Sequence, residues 1–232
     1  MVRAIAAETQ RPYDVAYATV AAGFTYMMLG AQDDAVVVME KGLQVARRAG
    51  IQILQASIAR YLGRAYAATG DAEKGHILLD EALKLTRSQG LAGLTAWCSS
   101  ALGHAHMSGD TARAETALQE ALTIATEHSY TPVQAQTLRA LGELRLRAGD
   151  PAGAEALLRR AIVLTEGMGM RPDLAGARRT LAGALRALGR NAEASVEDEA
   201  AATLGLALRP TPAEARTPDD LALLSPERKH LP

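Results

Sequence analysis

The chain has 232 residues, of which 48% are hydrophobic, 22% charged and 3% aromatic, and its formal net charge is −1. This length can bury a substantial core, while the charge balance argues against a generally basic nucleic-acid binder and no apolar run of about 18 residues could span a membrane. The single cysteine, Cys98, excludes an internal disulfide framework and a multi-cysteine zinc site, so we expect a cytoplasmic protein whose alanine-rich, aromatic-poor sequence packs as helices.

The first predicted helix begins at Pro12, because proline is favoured at the first position of a helix. Residues 1–12 are then an N-terminal lead-in, which is either frayed or the remnant of a preceding helix. From residue 13 the sequence repeats at intervals of 39 or 40 residues. The repeated anchor pairs are Ala22-Gly23, Leu62-Gly63, Leu102-Gly103, Leu141-Gly142 and Leu181-Ala182.

Each repeat predicts two helices joined by a turn. A turn glycine follows the anchor by seven residues in four copies and by six in the third, at Gly30, Gly70, Gly109, Gly149 and Gly189. Aspartate follows three of these glycines and is suited to start the next helix. The predicted units are about 13–50, 51–90, 91–130, 131–170 and 171–207. One pair cannot bury its apolar face alone, so stacking of the five pairs is expected.

The repeat resembles the tetratricopeptide repeat family. The anchor glycine, an aromatic residue three positions later (Tyr26, Tyr66), the turn glycine and the small residues beyond it fall at the family's offsets. The resemblance covers about residues 13–207 and implies an all-α, right-handed α-solenoid of about five helix pairs that binds proteins or peptides without catalysis. HEAT or armadillo repeats, whose period is also about 40 residues, are the alternative, but the glycine–aspartate turn favours the tetratricopeptide form.

Two short stretches resemble a narrower group of proteins. Residues 11–18 (RPYDVAYA) and 169–175 (GMRPDLA) are similar to the repeat region that follows the ATPase module in bacterial multidomain adenylate or guanylate cyclases. This resemblance implies a role in bacterial signalling and an association with a cyclase, ATPase or transcription-regulator module. An alternative is that the chain is a non-autonomous C-terminal fragment of such a regulator.

The C-terminal residues differ in composition from the repeats. Five of the nine prolines lie between Pro210 and Pro232, which predicts that 208–232 is a disordered tail. Thr217 to Leu224 alternatively forms a short helix that caps the last pair, because a solenoid needs its exposed end covered.

No motif in the sequence predicts an enzyme. The chain lacks a phosphate-binding loop, a Gly-x-Ser-x-Gly elbow and the carboxylate pair of a cyclase. His104 and His106 are two residues apart on a helix, so they point in different directions and do not chelate together. His106 takes the place of Tyr26 and Tyr66 and is expected to pack, and Cys98 is expected to be a buried, inert thiol. We therefore expect no catalytic residues, no cofactor and no metal.

The remaining candidate site is the concave groove. At about 100° per residue, the positions three before, one after and four after each anchor form a stripe separate from the face that packs on the paired helix. In the family that the repeat resembles, this stripe faces the bound peptide. The predicted partner-binding residues, including neighbours of the stripe, are Tyr17, Phe24, Met27, Met28, Arg60, Arg64, Trp97, His104, Arg139, Arg147, Arg179 and Arg186.

The composition of this stripe predicts the chemistry of the partner. The apolar first unit and the arginines that follow suit a protein segment with an apolar anchor and acidic residues. The lysine and asparagine positions of the family's carboxylate clamp are not filled here. An alternative is that the apolar residues pack on a neighbouring segment and the arginines are solvated charge. A second is single-stranded RNA on the six groove arginines, which the net charge and the scarce aromatic residues disfavour.

Overall fold

The computed structural model describes residues 11–107 and 109–206, which form ten α-helices and contain no strand. The predicted tail 208–232 and most of the lead-in lie outside these residues. None of the ten helices is long and apolar enough to cross a membrane. The helices are α1 (Pro12–Met28), α2 (Gln32–Arg48), α3 (Gln52–Thr69), α4 (Ala72–Ser88), α5 (Ala92–His106), α6 (Thr111–Glu127), α7 (Thr131–Arg147), α8 (Pro151–Gly167), α9 (Arg171–Ala187) and α10 (Asn191–Leu206).

Consecutive helices pack as five antiparallel pairs, which confirms the predicted solenoid. The turn glycines end the first helices as expected: Gly70, for example, has φ +95° and caps α3 in the left-handed region that favours glycine. In the third unit the turn glycine, Gly109, comes one residue earlier after its anchor than in the other units. Asp110 and Asp150 accept the backbone N–H of the third residue of α6 and α8.

The anchor glycines let the two helices of a pair approach closely. A Cβ added at Gly63 would lie 2.6 Å from Cγ of Leu79, which projects from the second helix of the pair and is fully buried. The same relation joins Gly142 to Leu158, at 2.7 Å. The fifth unit has Ala182 at the anchor, and the residue at the matching place of its second helix is Asp198 instead of a large apolar residue. The pair with alanine at the anchor therefore lacks the large apolar residue that packs on the anchor glycines Gly63 and Gly142.

The contacts between units show which side of the solenoid is concave. The first helices of neighbouring units pack directly on one another, α1 on α3, α3 on α5, α5 on α7 and α7 on α9, whereas the second helices share no close backbone contact. Long side chains bridge the wider gap between second helices by ion pairs, Arg47 with Glu81 at 2.8 Å and Arg87 with Glu120 at 2.6 Å. The array therefore curves with its first helices inside, and these helices form the floor of the groove.

Candidate binding groove

A narrow cleft lies at the centre of the concave face, where α3, α5 and α7 meet. Its free volume is about 10 Å³, which is room for little more than one water molecule. We call this the central cleft, and its lining residues are Arg60, Tyr61, Arg64, Trp97, Ser100, Ala101, His104 and Gln136. Because Arg60 and Arg64 are one helical turn apart, both reach the same side of α3. Four of the twelve predicted binding residues, Arg60, Arg64, Trp97 and His104, are brought together here.

Aromatic rings line one side of the central cleft. The guanidinium carbon of Arg60 lies 4.1 Å from the ring centroid of Tyr61 and 4.3 Å from that of Trp97. Arg60 also donates a hydrogen bond to the Tyr61 hydroxyl. The ring of Phe24, on α1, lies 5.6 Å from that of Tyr61 and is partly exposed. Cation–π contacts of this kind hold the rings in place, so the three rings form an aromatic wall (Phe24, Tyr61 and Trp97) that continues into the first unit.

Arg64 is the unusual residue of the cleft, because no described residue accepts a hydrogen bond from it or forms an ion pair with it. Its side chain is half-buried. Burial lowers the pKa of its guanidinium, and the nearby charge of Arg139 lowers it further. Desolvation of this charge costs free energy, and the carboxyl group of Asp173 offsets part of that cost without forming an ion pair with Arg64.

His104 lies beside Arg64 in the same cleft. Burial lowers its pKa well below the ordinary value, and the charges of Arg64, Arg139 and Arg147 lower it further. The imidazole is therefore neutral at pH 7 and has one N–H donor and one acceptor nitrogen. Asp173, from α9, is a nearby carboxyl group that does not bond to Arg64; burial raises its pKa, while Arg139 and a hydrogen bond with Gln136 act in the opposite direction.

The predicted arginines of the fourth and fifth units have protein partners. Arg147 donates to Glu143 at 2.6 Å and to the carbonyl of Met107 at 3.1 Å, and Glu143 also lies 4.0 Å from Arg139. Arg186 pairs with Asp198. Arg179 is exposed and reaches only the carbonyl of Ala175, one turn earlier in its own helix, at 3.4 Å.

The first unit presents exposed apolar side chains, as its composition suggested. Tyr17 is half exposed and stacks on Tyr13, with ring centroids 6.2 Å apart. Met28 is exposed, whereas Met27 is half-buried and packs against the apolar core of the first two units. These residues extend the concave face beyond the aromatic wall but do not reach the central cleft.

Sequence reasoning missed Tyr61, Gln136 and Asp173. Gln136 lies six residues before its anchor, at the offset that Tyr17 and Trp97 occupy in the first and third units, so a full comparison of that offset identifies it. Tyr61 has only small or polar counterparts, which are Ala21, Ala101, Ala140 and Thr180. Its role depends on the stacking with Arg60, for which the repeat pattern contains no signal.

His106 and Cys98 lie outside the cleft. His106 is buried and stacks on His76, with ring centroids 4.0 Å apart, in agreement with the predicted packing role. Cys98 is fully buried, and burial raises the pKa of its thiol to about 12. Within residues 11–107 and 109–206, no cluster of three His, Cys, Asp or Glu side chains could hold a metal ion.

Comparisons with known proteins agree with this architecture. Residues 54–127 match the tetratricopeptide repeat family. The crystal structure of BtubC (BKLC) from P. vanneervenii is similar, with a TM-score of 0.63 and 20% identity over 93% of this chain and 91% of that chain. TPR-like repeats from Podosopora anserina give a TM-score of 0.58 and 16% identity over 88% of this chain and 100% of that one.

Apo RapI is a further structural relative, with a TM-score of 0.56 and 15% identity over 88% of this chain and 57% of that chain. No curated protein matches the sequence. At these sequence identities the similarity shows a shared fold alone. Residues 54–127 thus match the tetratricopeptide repeat in sequence, and the described chain has the all-helical solenoid fold of these structures.

Proposed function

We propose that the chain is a non-enzymatic protein-interaction module that binds a segment of a partner protein in its concave groove. The observation that carries this proposal is that two groove arginines are half-buried and have no carboxylate partner. Among the described arginines that have no carboxylate within 4 Å, only Arg60 and Arg64 are half-buried, and the others are exposed. Both line the central cleft.

Desolvated cations without a carboxylate partner raise the free energy of the free protein, and a ligand that pairs with them and covers the neighbouring rings recovers that free energy. A partner that supplies negative charge and apolar surface would compensate the two arginines and cover Phe24, which is 44% exposed. Arg60 already stacks between two rings, so the aromatic wall is pre-formed and loses little conformational freedom when a ligand binds.

The wider role that we propose is a scaffold in bacterial signalling. This part of the proposal rests on the resemblance of residues 11–18 and 169–175 to the repeat region of cyclase–ATPase regulators. These residues include the starts of α1 and α9, the first helices of two units. A cytoplasmic partner such as a cyclase, an ATPase or a transcription regulator would fit this role.

Site-specific photo-crosslinking tests where the partner binds. Benzoylphenylalanine is placed at Phe24, on the concave face, and in a second protein at Val163, which is 67% exposed on the second helix α8. Both proteins are incubated with a lysate of the source organism and irradiated, and crosslinked proteins are identified by mass spectrometry. We expect a defined protein to crosslink at Phe24 and not at Val163.

A pair of charge-matched variants serves as the control. Arg60→Glu/Arg64→Glu in the Phe24 crosslinker protein should abolish the adduct, because the central cleft loses both of its arginines. Arg48→Glu/Arg160→Glu changes the net charge equally at two exposed arginines of α2 and α8 and should retain the adduct. Absence of any Phe24 adduct, or equal loss in both variants, would contradict binding in the groove.

A further inference from the structure

We propose that the exposed face of α1 binds the same face of a second copy of this chain, so that two α1 helices pack antiparallel in a symmetric dimer. We call this surface the N-terminal face, and it consists of Tyr13, Tyr17, Ala21 and Met28. The inference goes beyond the proposed function, because the central cleft lies where α3, α5 and α7 meet and takes no part in this contact.

The first argument is that the other units bury the corresponding surface. Ala21 lies two residues before its anchor glycine, and its counterparts in the third and fourth units are Ala101 and Ala140. Ala101 lies in a buried cluster with Leu79 of the preceding unit, and Ala140 lies in one with Leu118. Ala21 is exposed. Helix α1 therefore presents a surface that packs between units elsewhere and that no described residue covers.

The second argument is the chemistry of the N-terminal face. At about 100° per residue, its four side chains fall within about 80° of one another around α1. Tyr13, Tyr17 and Met28 are 51%, 50% and 53% exposed, and the two tyrosine rings stack on each other. The only charged residue of α1 is Asp14, which is not part of the face. A continuous apolar stripe of this kind is typical of an interaction surface.

The opposite end of the array differs and is a poor partner for this face. Helix α10 carries four carboxylates and no basic residue, and Glu193, Ser195 and Glu199 are exposed on it. A polar outer helix is what a solenoid needs at its end. Stacking the N-terminal face on α10 of another copy would desolvate carboxylates against apolar rings, which costs free energy. Contact between two identical N-terminal faces avoids this cost and closes as a dimer.

The third argument is that the N-terminal face complements itself. Ala21 lies close to the middle of the segment from Tyr13 to Met28, so two small side chains meet at the two-fold axis and allow the helices to approach closely. Tyr13 of one copy then lies opposite Met28 of the other, which is a favourable ring–sulfur pair. Arg11, exposed at the start of α1, comes level with Asp33, exposed at the start of α2 of the second copy. Opposite charges therefore flank the apolar contact at both ends.

The size of the face predicts a weak dimer. A fully buried aromatic side chain covers about 150–250 Å², and the tyrosines of the face are each half exposed. Two such rings and one methionine supply only part of the roughly 800 Å² per copy that a stable interface buries. We therefore expect a dissociation constant of about 10–100 μM.

Analytical ultracentrifugation of the full chain from about 5 to about 500 μM brackets this range. We expect a monomer at the lowest concentration and a dimer, with no larger species, at the highest. Tyr17→Glu should weaken dimerisation at least tenfold, because it places two carboxylates in the contact. Thr203→Glu, at an exposed position of α10, adds the same charge and should dimerise as the original chain does. Circular dichroism confirms that both variants are folded.

Cysteine crosslinking tests the antiparallel geometry. In the presence of oxidised glutathione, Ala21→Cys should form a disulfide-linked dimer across the two-fold axis, since the natural Cys98 is fully buried. Ala202→Cys, exposed on α10, is the control and should remain largely uncrosslinked. A mixture of Tyr13→Cys and Met28→Cys should crosslink more than either variant alone, because these positions face each other only between copies.

A monomer at every concentration would overturn the inference and leave residues 1–10 or a different protein as the occupant of the face. Growth beyond a dimer, or equal weakening by Tyr17→Glu and Thr203→Glu, would also overturn it, because it would indicate head-to-tail stacking. Failure of the proposed function is distinguishable, since Arg60→Glu/Arg64→Glu leaves the N-terminal face unchanged and should dimerise as the original chain does.

Discussion

The central units and the C-terminal units use the same residue type in opposite ways. In α3, Arg60 and Arg64 face the groove without a carboxylate partner. In α9 and the turn that follows it, Arg178 bonds to carboxylates on α8 and α10, and Arg190 bonds to Glu155 at 2.7 Å and to Glu193 at 2.6 Å. The C-terminal arginines connect three helices, whereas the central ones are left available to a ligand.

The position relative to the anchor accounts for this difference. Arg178 lies four residues before its anchor, on the face that packs against the paired helix α10, where it meets Glu197, and it also reaches Glu166 of the preceding helix α8. Arg60 lies three residues before its anchor and Arg64 one after, so both point into the groove. A shift of one position, about 100° around the helix, separates a stabilising arginine from one that is available for binding.

The largest expected effect is the loss of stability on replacing Arg178 with methionine. The substitution leaves Glu166 and Glu197 without their shared partner, and the side chain of Glu197 is only 16% exposed. We expect the free energy of unfolding to fall by about 2–3 kcal/mol, because removing one member of a largely buried ion pair leaves uncompensated charge. Urea denaturation followed by circular dichroism measures the change.

Arg160→Met is the matched control for this prediction. Arg160 lies on α8, is exposed and has no carboxylate within 4 Å. Its replacement should change stability by less than about 0.5 kcal/mol, as is usual for surface positions. Equal effects of the two substitutions would mean that the C-terminal ion-pair network does not stabilise the fold.

The second prediction concerns the pH dependence of stability in the central units. The described histidines lie there, and none lies within residues 129–206. Burial lowers the pKa of both His104 and His106 in the folded chain. Arg64 lowers the pKa of His104 further, and His76 lowers that of His106 further. The unfolded chain therefore binds more protons below about pH 6.5, and the stability present above that pH is lost as the pH falls.

We expect the urea midpoint to decrease between pH 7.5 and 5.5, because the unfolded chain takes up protons that the folded imidazoles resist. The decrease should be smaller than Arg178→Met causes, because only the last unit of this range lies below the unfolded pKa of about 6.5. Trp97 fluorescence should report the loss in the central units. In His104→Gln/His106→Gln the decrease should become smaller. An identical pH dependence in the double variant would show that other groups are responsible.

The sequence was sufficient to predict the helix pairs and the position of the groove. The anchor offsets placed Arg60, Arg64 and His104 on one stripe and Trp97 beside it, and all four line the central cleft. Helical periodicity is a local property, and the repeat shows it five times. The number of residues from the anchor therefore predicts the face of the first helix on which each side chain lies.

The partners of the groove arginines could not be predicted in the same way. Arg64 and Arg186 both lie on the predicted stripe, yet Arg186 meets Asp198 of α10 and Arg64 meets no carboxylate. Whether an arginine is paired depends on which residues of other helices come within reach, and that depends on tertiary contacts. The same reason explains why the stacking of Arg60 on Tyr61 and Trp97 was missed.

The third prediction concerns the junction between the two regions. Ser129, in the turn between α6 and α7, has φ +54°, whereas the corresponding turns contain Gly50, Gly90 and Gly169. A left-handed conformation costs a non-glycine residue about 1–2 kcal/mol, part of which glycine loses again through the greater freedom of the unfolded chain. Ser129→Gly should therefore stabilise the chain by about 0.5–1 kcal/mol in urea denaturation.

Ser195→Gly, on the exposed side of α10, is the contrasting variant. Glycine within a helix is unfavourable, so this change should destabilise the chain by about 0.5–1 kcal/mol. The two serine substitutions should thus have opposite signs. A loss of stability in Ser129→Gly would show that the Ser129 side chain contributes more than its backbone conformation costs.

The smallest expected effect is that of Arg64→Met on stability. The substitution breaks no hydrogen bond or ion pair with a described residue and removes a desolvated charge from beside Arg139. The free energy of unfolding should stay within about 0.5 kcal/mol of the original or increase slightly. A loss of about 2 kcal/mol, comparable to that of Arg178→Met, would mean that Arg64 stabilises the fold. A neutral effect on stability would agree with the proposed role of this arginine in the groove, since it would show that the side chain contributes nothing to folding.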